Sequence, residues 1–384
     1  MNQKIAIIGA GLSGLITAIA FAKNNIPVKI LEKSRDQEYS KDPRTTSLNF
    51  RSVAILKKYG IWEHLHDLAS PIEDIYVMDN YAPEILHFCG KDVLDDMSKM
   101  GYIIENRILR DNLRAIAQNI NLIETHYAAD LSFFESEKIY IKDNKEIYNP
   151  DLIIACDGKF SAIREQFFQN MLDKSYEQNA IVFNIWHEKP HNNIAVEHFM
   201  NLGPFAILPL KDSNISSIVW SEKEASANLY IQMSSEELLS YVKEKIGSYL
   251  GEIKIVTDIS SFPLSAHITK KYHYKNIALI ADSAHSIHPL AGQGFNIGIQ
   301  DIDTLVDITM RTLNVGLKID EIMLEKYSKQ RFWGNLIMFN AMDFLNLIFS
   351  NDSKIIAKCR RIGISVINKM PRVKGFFMRK AMGS

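Results

Sequence analysis

The sequence predicts an α/β protein in which a parallel-sheet domain carries an inserted antiparallel β-sheet and a helical C-terminus. Three observations support this fold class. A strand–helix–strand pattern opens the chain at residues 4–31, with strands apolar enough to be buried on both faces. Alternating apolar and polar residues dominate from about 179 to 265, which is typical of antiparallel strands. The last fifty residues have a helical pattern and become increasingly basic.

The length and composition limit the classes of function. At 384 residues the chain is long for one core, which favours two domains. The formal net charge of −1 gives no global positive field, so we expect no nucleic-acid partner. No secretion signal or uncharged bilayer-spanning run is present, and the three scattered cysteines fit a reducing compartment. These features predict a cytoplasmic protein.

The N-terminal unit contains a glycine fingerprint in the context that dinucleotide binding requires. Gly9 allows a tight turn after the first strand, Gly11 lets the backbone approach a pyrophosphate, and Gly14 lets the helix pack on the strand. Glu32 ends the second strand about twenty residues further on, where a carboxylate accepts hydrogen bonds from an adenosine ribose. Because this carboxylate repels a ribose phosphate, the pattern favours FAD or NAD over NADP as the bound dinucleotide.

FAD is favoured over NAD by the rest of the sequence. An NAD-dependent dehydrogenase has a second compact domain with a catalytic His or Lys, and a flavin disulfide reductase has a CxxC pair and a second complete GxGxxG. Neither pattern is found. His285 and His288 lie close together but lack further ligands nearby, so we expect no metal site.

Two further apolar strands end in a carboxylate. The strand 151–156 is followed by Asp157 and Gly158, and the strand 277–281 is followed by Asp282. The carboxyl ends of parallel strands lie at one edge of a sheet, where such folds bind ligands. We therefore expect both carboxylates at the same binding edge.

The loop after Asp282 concentrates unusual residues. Pro289 fixes a turn, and Gly292 and Gly294 remove side chains that keep a ligand away from the backbone. Asn296 then opens an apolar-periodic helix. Together, these features gather N–H groups that suit an anion or a developing negative charge. An ordinary loop with turn residues is the alternative.

Arg44 and Asn106 are candidates for cofactor contact outside these motifs. Arg44 lies in a polar loop and is either a partner for a pyrophosphate or a plain surface residue. Asn106 is placed to cap a helix, and contact with a cofactor is the alternative.

The predicted division of the chain has three parts, of which the first two are discontinuous. The FAD-binding domain comprises residues 1–72, 98–178 and 266–330. The substrate domain comprises residues 73–97 and 179–265, and its mostly apolar sheet forms a substrate cavity by covering the cofactor. Residues 331–384 form a helical region with a basic end.

The C-terminal end has nine Lys or Arg residues and no acidic residue from 353 onward. Phe376 and Phe377 lie among these basic residues. This composition predicts either binding to a membrane surface or a helical cap packed on the domain, and the two are compatible.

Taken in order, these motifs resemble the flavoprotein aromatic hydroxylases of the p-hydroxybenzoate hydroxylase type, and among them the ubiquinone-biosynthesis hydroxylases. The resemblance covers nearly the whole chain. The sequence departs from the family at Ala281, where glycine is usual. The matching positions that the resemblance assigns to the cofactor are Gly9, Gly11, Gly14, Glu32, Arg44, Asn106, Asp157, Gly158, Asp282, Pro289, Gly292, Gly294 and Asn296.

The resemblance also implies a role for each part of this set. The glycine fingerprint and Glu32 hold the ADP half of FAD, and Arg44 and Asn106 line the flavin chain. Asp282 bonds the ribityl or ribitol-phosphate region, and Asp157 with Gly158 serves FAD and transiently bound NAD(P)H. No side chain is assigned as a catalyst. The backbone of the loop faces the flavin ring, through Pro289, Gly292, Gln293 and Gly294.

The resemblance implies a monooxygenase that hydroxylates the aromatic ring of a polyprenylated phenol in ubiquinone biosynthesis. NAD(P)H reduces FAD, O2 adds to give a flavin hydroperoxide, and the protein excludes water from it. The expected place of action is the cytoplasmic surface of the inner membrane, with other quinone-biosynthesis proteins as further partners. Three alternatives stay open: a hydroxylase of a soluble aromatic, a reductase of isoprenoid double bonds, and a flavin-binding assembly subunit.

Overall fold

The computed structural model describes residues 3–35, 42–79, 82–90, 99–144, 146–200, 203–288, 292–349 and Gly375. The helices are α1 (Leu12–Lys23), α2 (Phe50–Lys58), α3 (Trp62–Leu65), α4 (Asn106–Gln118), α5 (Ala162–Phe167), α6 (Glu224–Tyr230), α7 (Ser235–Ile246), α8 (Gln293–Asn314) and α9 (Glu321–Phe349). The strands are β1 (Ile5–Ile8), β2 (Val28–Leu31), β3 (Thr45–Leu48), β4 (Ser70–Ile72), β5 (Asp74–Asp79), β6 (Ala82–Cys89), β7 (Gly101–Glu105), β8 (Ile123–His126), β9 (Leu131–Glu135), β10 (Ile139–Asp143), β11 (Glu146–Tyr148), β12 (Leu152–Ala155), β13 (Met171–His187), β14 (Ile194–Met200), β15 (Gly203–Pro209), β16 (Ile215–Lys223), β17 (Ile253–Ile255), β18 (Ser260–Thr269), β19 (His273–Tyr274), β20 (Ile277–Leu279) and β21 (His285–Ser286).

The first sheet has the strand order β19-β20-β12-β1-β2-β8 and is parallel except for the edge strand β19. Every residue of β1 and β12 is buried, as expected of parallel strands covered on both faces. The chain passes from β1 to β2 on one side, and β12 lies on the other side of β1. The carboxyl ends of these strands therefore meet at a switch point, which is the edge where open α/β sheets bind ligands.

The second large sheet has the order β21-β18-β13-β16-β15-β14-β5-β6, and β17 also pairs with β13. Its pairs are antiparallel except for β14 with β5. The expected inserted antiparallel sheet is thus confirmed, and it includes strands from the region 73–97. Its strands extend beyond 179–265, because β13 begins at Met171 and β18 runs to Thr269.

Helices α6 and α7 cover one face of this second sheet. Their buried residues Ala227, Leu238 and Val242 pack with Phe183 and Trp220 of the strands. Helix α7 starts with a capping box between Ser234 and Glu237, a local signal that marks its N-terminus. The other face of the sheet turns toward the parallel-sheet domain.

Two smaller sheets complete the described fold. One is the antiparallel meander β11-β10-β9, and the other has the order β3-β7-β4. Helices α8 and α9 pack on each other at the C-terminal end, and α8 also contacts α1 and α2. The basic stretch from 353 onward lies outside the described residues except for Gly375. None of the described helices has the length and apolar character required to cross a bilayer.

Candidate functional site

The glycine fingerprint follows β1 and leads into α1. Gly9 has a φ of +102°, and a Cβ atom on it would lie 2.6 Å from the carbonyl oxygen of Cys156. A Cβ atom on Gly14 would overlap the carbonyl oxygen of Gly9. A Cβ atom on Gly11, in contrast, would have no atom within 4 Å. The fold itself therefore requires glycine at 9 and 14, whereas Gly11 borders open space at the N-terminus of α1.

Glu32 lies beside this loop at the end of β2. Its carboxylate accepts hydrogen bonds from the N–H of Ala10 at 2.5 Å and the N–H of Ser34 at 2.8 Å. Glu32 is buried, and the bond to Ala10 fixes its carboxylate next to the glycine loop. The first turn of α1 has no acidic residue, so its free N–H groups remain suited to an anion.

Asp157 follows β12, the strand beside β1. Its Oδ1 atom is buried and has no hydrogen-bond partner among the described residues, while Oδ2 accepts from the N–H of Ile163 at 3.4 Å. Burial raises the pKa of this carboxyl group. Gly158 has a φ of +79°, and a Cβ atom there would meet nothing within 4 Å. The pair thus combines an unsatisfied acceptor with open space, as expected where a polar ligand binds.

Asp282 follows β20, in a 3-10 turn at Ala281–Ser283. Its side chain is accessible to solvent, yet desolvation is the largest influence on its pKa, which is raised. We call this accessible but desolvated position beside Asp282 the recess. The positive charges of Arg44, Lys159 and Arg164 act on the carboxylate in the opposite direction and favour its ionised form.

Arg44 connects this recess to the second large sheet. Its guanidinium makes a bidentate ion pair with Asp42, with both N–O distances at 2.8 Å. It also lies 4.8 Å from the ring centroid of Phe262 on β18. The pKa of Arg44 is raised chiefly by its hydrogen bonds to Asp42, and the negative charge of Asp282 contributes as well. Arg44 is therefore a half-exposed but well-anchored cation, directed by Asp42 and Phe262.

Asn106 is not the cap of its helix, contrary to the first of the two sequence interpretations. Helix α4 begins at Asn106, and the capping position belongs to Glu105. The Oδ1 atom of Asn106 accepts a hydrogen bond of 2.6 Å from the hydroxyl of Thr46, and its N–H donates to the carbonyl of Arg44. The side chain thus ties the start of α4 to β3, next to Arg44.

The glycine loop after β21 leads into α8, which begins at Gln293, three residues before the predicted start at Asn296. Gly292 has a φ of +60°, and a Cβ atom there would lie 2.8 Å from the Cβ of Ser47. At Gly294 an added Cβ would make only an ordinary contact with Ile287, at 3.7 Å. Pro289 lies outside the described residues, so the predicted turn there stays a prediction.

Asn296 fastens this loop to β3. Its Oδ1 atom accepts from the N–H of Asn49 at 2.9 Å, and its Nδ2 atom donates to the carbonyls of Ser47 and Gly292. The residue is fully buried. All of these bonds go to protein groups, so the amide positions the loop and the first turn of α8.

A buried ion cluster behind the loop was not predicted from the sequence. Asp301 of α8 is fully buried and accepts from Nε2 of His285 at 2.5 Å and from Nε of Arg331 at 2.6 Å. Burial opposes ionisation of Asp301, but the charges of His285 and Arg331 lower its pKa to about 2. The sequence signal that could have revealed this cluster is Asp301 itself, a carboxylate on the apolar face of a helix between Ile299 and Ile302. Within the described part of the chain, no three His, Cys, Asp or Glu residues form a group that could hold a metal ion.

The second sheet faces these elements across the recess. Besides the contact between Phe262 and Arg44, the Nδ2 atom of Asn184 on β13 lies 3.5 Å from Oε1 of Glu105.

The predicted cofactor residues that lie at the carboxyl edge of the parallel sheet include Gly9, Gly11, Glu32, Asp157 and Asp282. Arg44 and Asn106 lie between that edge and the apolar sheet.

Comparison with known proteins relates this chain to FAD-binding enzymes. The family described as an FAD-binding domain matches residues 2–332. Ubiquinone hydroxylase UbiL of Rhodospirillum rubrum is 30% identical, over 99% of this chain and 89% of that protein. The 3-demethoxyubiquinol 3-hydroxylase of Escherichia coli is 26% identical, over 99% of this chain and 98% of that protein.

A solved structure shows the same fold. The crystal structure of p-nitrophenol 4-monooxygenase PnpA of Pseudomonas putida superimposes with a TM-score of 0.81 at 14% identity, covering 99% of this chain and 97% of that chain. The fold, the carboxyl-edge recess and the full-length similarity all point to one family. The chain belongs to the FAD-binding-domain family and, within it, to the ubiquinone-biosynthesis hydroxylases, which are FAD-dependent aromatic monooxygenases.

Proposed function

We propose that this protein hydroxylates the aromatic ring of a polyprenylated phenol in ubiquinone biosynthesis, using FAD, O2 and NAD(P)H. The observation that carries the proposal is the full-length similarity to UbiL, whose name describes a ubiquinone hydroxylase. The recess between the parallel-sheet edge and the apolar sheet supports it, because such a recess can hold a flavin against an apolar substrate.

The residues at the carboxyl edge fit FAD. The open space beside Gly11 and the free N–H groups of α1 suit the pyrophosphate, and Glu32 suits the adenosine ribose. One oxygen atom of Asp157 has no partner in the described part of the chain, and Asp282 lies in an accessible recess, so both can accept hydrogen bonds from the cofactor's hydroxyl groups. When bound, FAD supplies the oxygen-transfer chemistry that no amino acid side chain provides.

The protein's own contribution is positioning, electrostatics and the exclusion of water. The first N–H groups of α8, after Gly292, suit negative charge that develops on a ring bound there. Asn296 holds this loop in place through its three hydrogen bonds. The apolar face of the second sheet keeps water away from reactive oxygen species, which favours hydroxylation over release of peroxide.

We also propose that the protein acts at a membrane surface, where a polyprenylated substrate is dissolved. Helix α9 exposes a stripe of large apolar residues on one face, and the basic stretch with nine Lys or Arg residues follows it. Apolar side chains and positive charge together favour an anionic lipid surface over a soluble partner. The stripe consists of Trp333, Ile337, Phe344 and Leu347.

Mass spectrometry of quinone-pathway lipids in cells that lack this gene tests the function. We expect a prenylated phenol that is one oxygen atom short to accumulate, and its ring pattern identifies the carbon. Expression of the unaltered protein should restore the quinone. An unchanged quinone pool in a strain without a redundant paralogue contradicts the proposal and favours a soluble aromatic substrate.

Sedimentation with vesicles tests the membrane proposal separately. The variant Trp333→Ser with Phe344→Ser should bind anionic vesicles more weakly than the unaltered protein, while both bind neutral vesicles poorly. Leu229→Ser is the matched control, because Leu229 is 63% exposed on α6, away from the stripe. Equal sedimentation of all three proteins contradicts a membrane role for the stripe.

A further inference from the structure

Glu197 of β14 is a carboxylate on the sheet face that turns toward the parallel-sheet domain. Side chains on β14 alternate between the two faces. Val196 packs on the side covered by α6 and α7, whereas Ala195 packs with Ile103 of β7, and Phe199 belongs to the core of the parallel-sheet domain. Glu197 lies between Ala195 and Phe199 and therefore faces the same way.

The neighbours of Glu197 across the sheet are small and apolar. It pairs with Ala206 on β15 and Val77 on β5, and Ala206 pairs in turn with Val219 on β16. Val219 packs in the same cluster as Phe262, whose ring contacts Arg44 beside the recess. The carboxylate thus projects from an apolar sheet surface that continues to Phe262 and the predicted cofactor residue Arg44.

Glu197 has no hydrogen bond or ion pair with any of the residues that the structure describes. Glu197 keeps some solvent exposure, and desolvation by the surrounding protein raises its pKa to about 7. Glu222, a buried acid of the same sheet, lies on the opposite face and accepts the N–H of Lys223 at 3.0 Å. A carboxyl group without a partner in apolar surroundings is costly to keep, and it is typical of a group that meets a ligand.

Other charged groups do not account for the raised pKa of Glu197. The charged residues of the neighbouring elements include the acids Asp79 of β5, Glu105 of β7 and Asp343 of α9, and the cations are Arg44 and Lys174, which pairs with Asp343. None of them contributes to the shift in Glu197, for which desolvation is the one cause. The carboxylate is therefore free to respond to a substrate hydroxyl.

We propose that Glu197 binds the phenolic hydroxyl of the substrate and takes its proton during hydroxylation, an inference that rests on the proposed function. As the ring carbon bonds to one oxygen atom derived from O2, the O–O bond breaks and its electron pair stays with the second oxygen atom. The phenolic O–H bond breaks at the same time, its electron pair moves into the ring, and Glu197 takes the proton. Loss of the ring proton restores aromaticity, and Glu197 returns its proton to the phenolic oxygen. The ring proton ends in the water formed from the second oxygen atom of O2. Glu197 would thereby increase the electron density of the ring when it is attacked.

Binding of a matched pair of ligands to the FAD-loaded protein tests this role. The probes are a phenol carrying one isoprene unit and its O-methyl ether, titrated calorimetrically from about pH 6 to about pH 8.5. We expect the affinity for the phenol to rise about tenfold over this range, because the ionised carboxylate accepts the hydroxyl's hydrogen bond. The affinity for the ether should not change with pH, because it has no hydroxyl hydrogen.

The variants Glu197→Gln and Glu197→Ala should bind the phenol with no pH dependence. Glu222→Gln is the control and should behave like the unaltered protein, because Glu222 lies on the opposite face. Flavin absorbance and the unfolding temperature establish that each variant is folded and loaded. If Glu197→Gln keeps the pH dependence of the unaltered protein, the inference is wrong.

Hydroxylation of the same phenol by the unaltered protein is measured separately. If the phenol is not hydroxylated but its binding depends on Glu197, the proposed function fails while the role of Glu197 as the hydroxyl acceptor is supported. If the phenol is hydroxylated and its binding is independent of Glu197, the proposed function stands and Glu197 is excluded.

Discussion

The methyl group of Ala281 lies where a side chain on Gly298 would begin. A Cβ atom placed on Gly298 would be 2.7 Å from the Cβ of Ala281. Ala281 itself has a φ of +51°, in the left-handed region that costs an L-residue roughly 1–2 kcal/mol. This chain thus combines a strained alanine before Asp282 with a glycine in α8 that makes room for it.

This pairing predicts a non-additive double substitution. Gly298→Ala should lower the free energy of unfolding by about 1–3 kcal/mol, because the added methyl overlaps Ala281. Adding Ala281→Gly should recover most of this loss, since it removes both the clash and the strained φ. Urea unfolding of the two single variants and the double variant measures the coupling. Strictly additive effects would show that the two residues do not share this space.

Gly11 and Gly14, the last two glycines of the fingerprint, should respond differently to the same substitution. Gly11→Ala should leave the stability of the FAD-free protein within about 1 kcal/mol, because its Cβ meets open space, but should weaken FAD binding at least about tenfold. Gly14→Ala should prevent correct folding, because its Cβ overlaps the carbonyl of Gly9. Thermal unfolding and flavin titration separate the two outcomes. Normal FAD affinity in a folded Gly11→Ala protein would argue against the proposed pyrophosphate position.

The buried ion cluster should be important for stability. Asp301→Asn leaves the charge of Arg331 buried without its partner and should cost about 3–5 kcal/mol. Asp307→Asn on the same helix is the control, because Asp307 pairs with Lys58 at an exposed site and should contribute at most about 1 kcal/mol. Equal losses for the two variants in chemical denaturation would contradict a structural role specific to Asp301.

His288 should make the folded state sensitive to acid. Both of its ring nitrogens are buried and have no hydrogen-bond partner within the described ranges, and burial lowers its pKa to about 4 from the ordinary 6.5. Between these values the unfolded chain binds a proton that the folded chain does not. Its contribution is therefore complete above about pH 6.5 and decreases as the pH falls toward 4, by up to roughly 3 kcal/mol.

Urea unfolding of the FAD-loaded protein at several pH values measures this effect. His288→Phe keeps an aromatic ring against Tyr176 and removes the titrating group. The stability difference between the variant and the unaltered protein should shift in favour of the variant as the pH falls from about 7 to about 4. Parallel stability curves would show that His288 does not titrate on unfolding.

Local patterns predicted which strand ends meet at the carboxyl edge of the parallel sheet. The glycine spacing and the carboxylates at 32, 157 and 282 each depend on one strand and the residues next to it, and the parallel sheet then brings these strand ends together. The required glycines at 9 and 14 follow from the same local geometry. The antiparallel sheet was also predictable, because its strands alternate with the period that a half-buried sheet imposes.

Residues whose partners are distant in the chain were not predictable in the same way. Asn296 bonds Asn49, a residue 247 positions away, so its role in anchoring the loop depends on the tertiary fold. Asn106 has the composition of a helix cap, yet it bonds Thr46 instead. Glu197 has the sequence context of an ordinary strand residue, and only the pairing of β14 with β5 and β15 shows that its neighbours are apolar.

Incorporation of labelled oxygen distinguishes hydroxylation of the ring from other uses of O2. The purified FAD-loaded protein is supplied with a prenylated phenol, NADH or NADPH, and ¹⁸O2, and the product is analysed by mass spectrometry. We expect one ¹⁸O atom in the aromatic ring for each O2 consumed. Oxygen consumption that yields only peroxide, or a product reduced in its prenyl chain without ring oxygen, would contradict the proposed function.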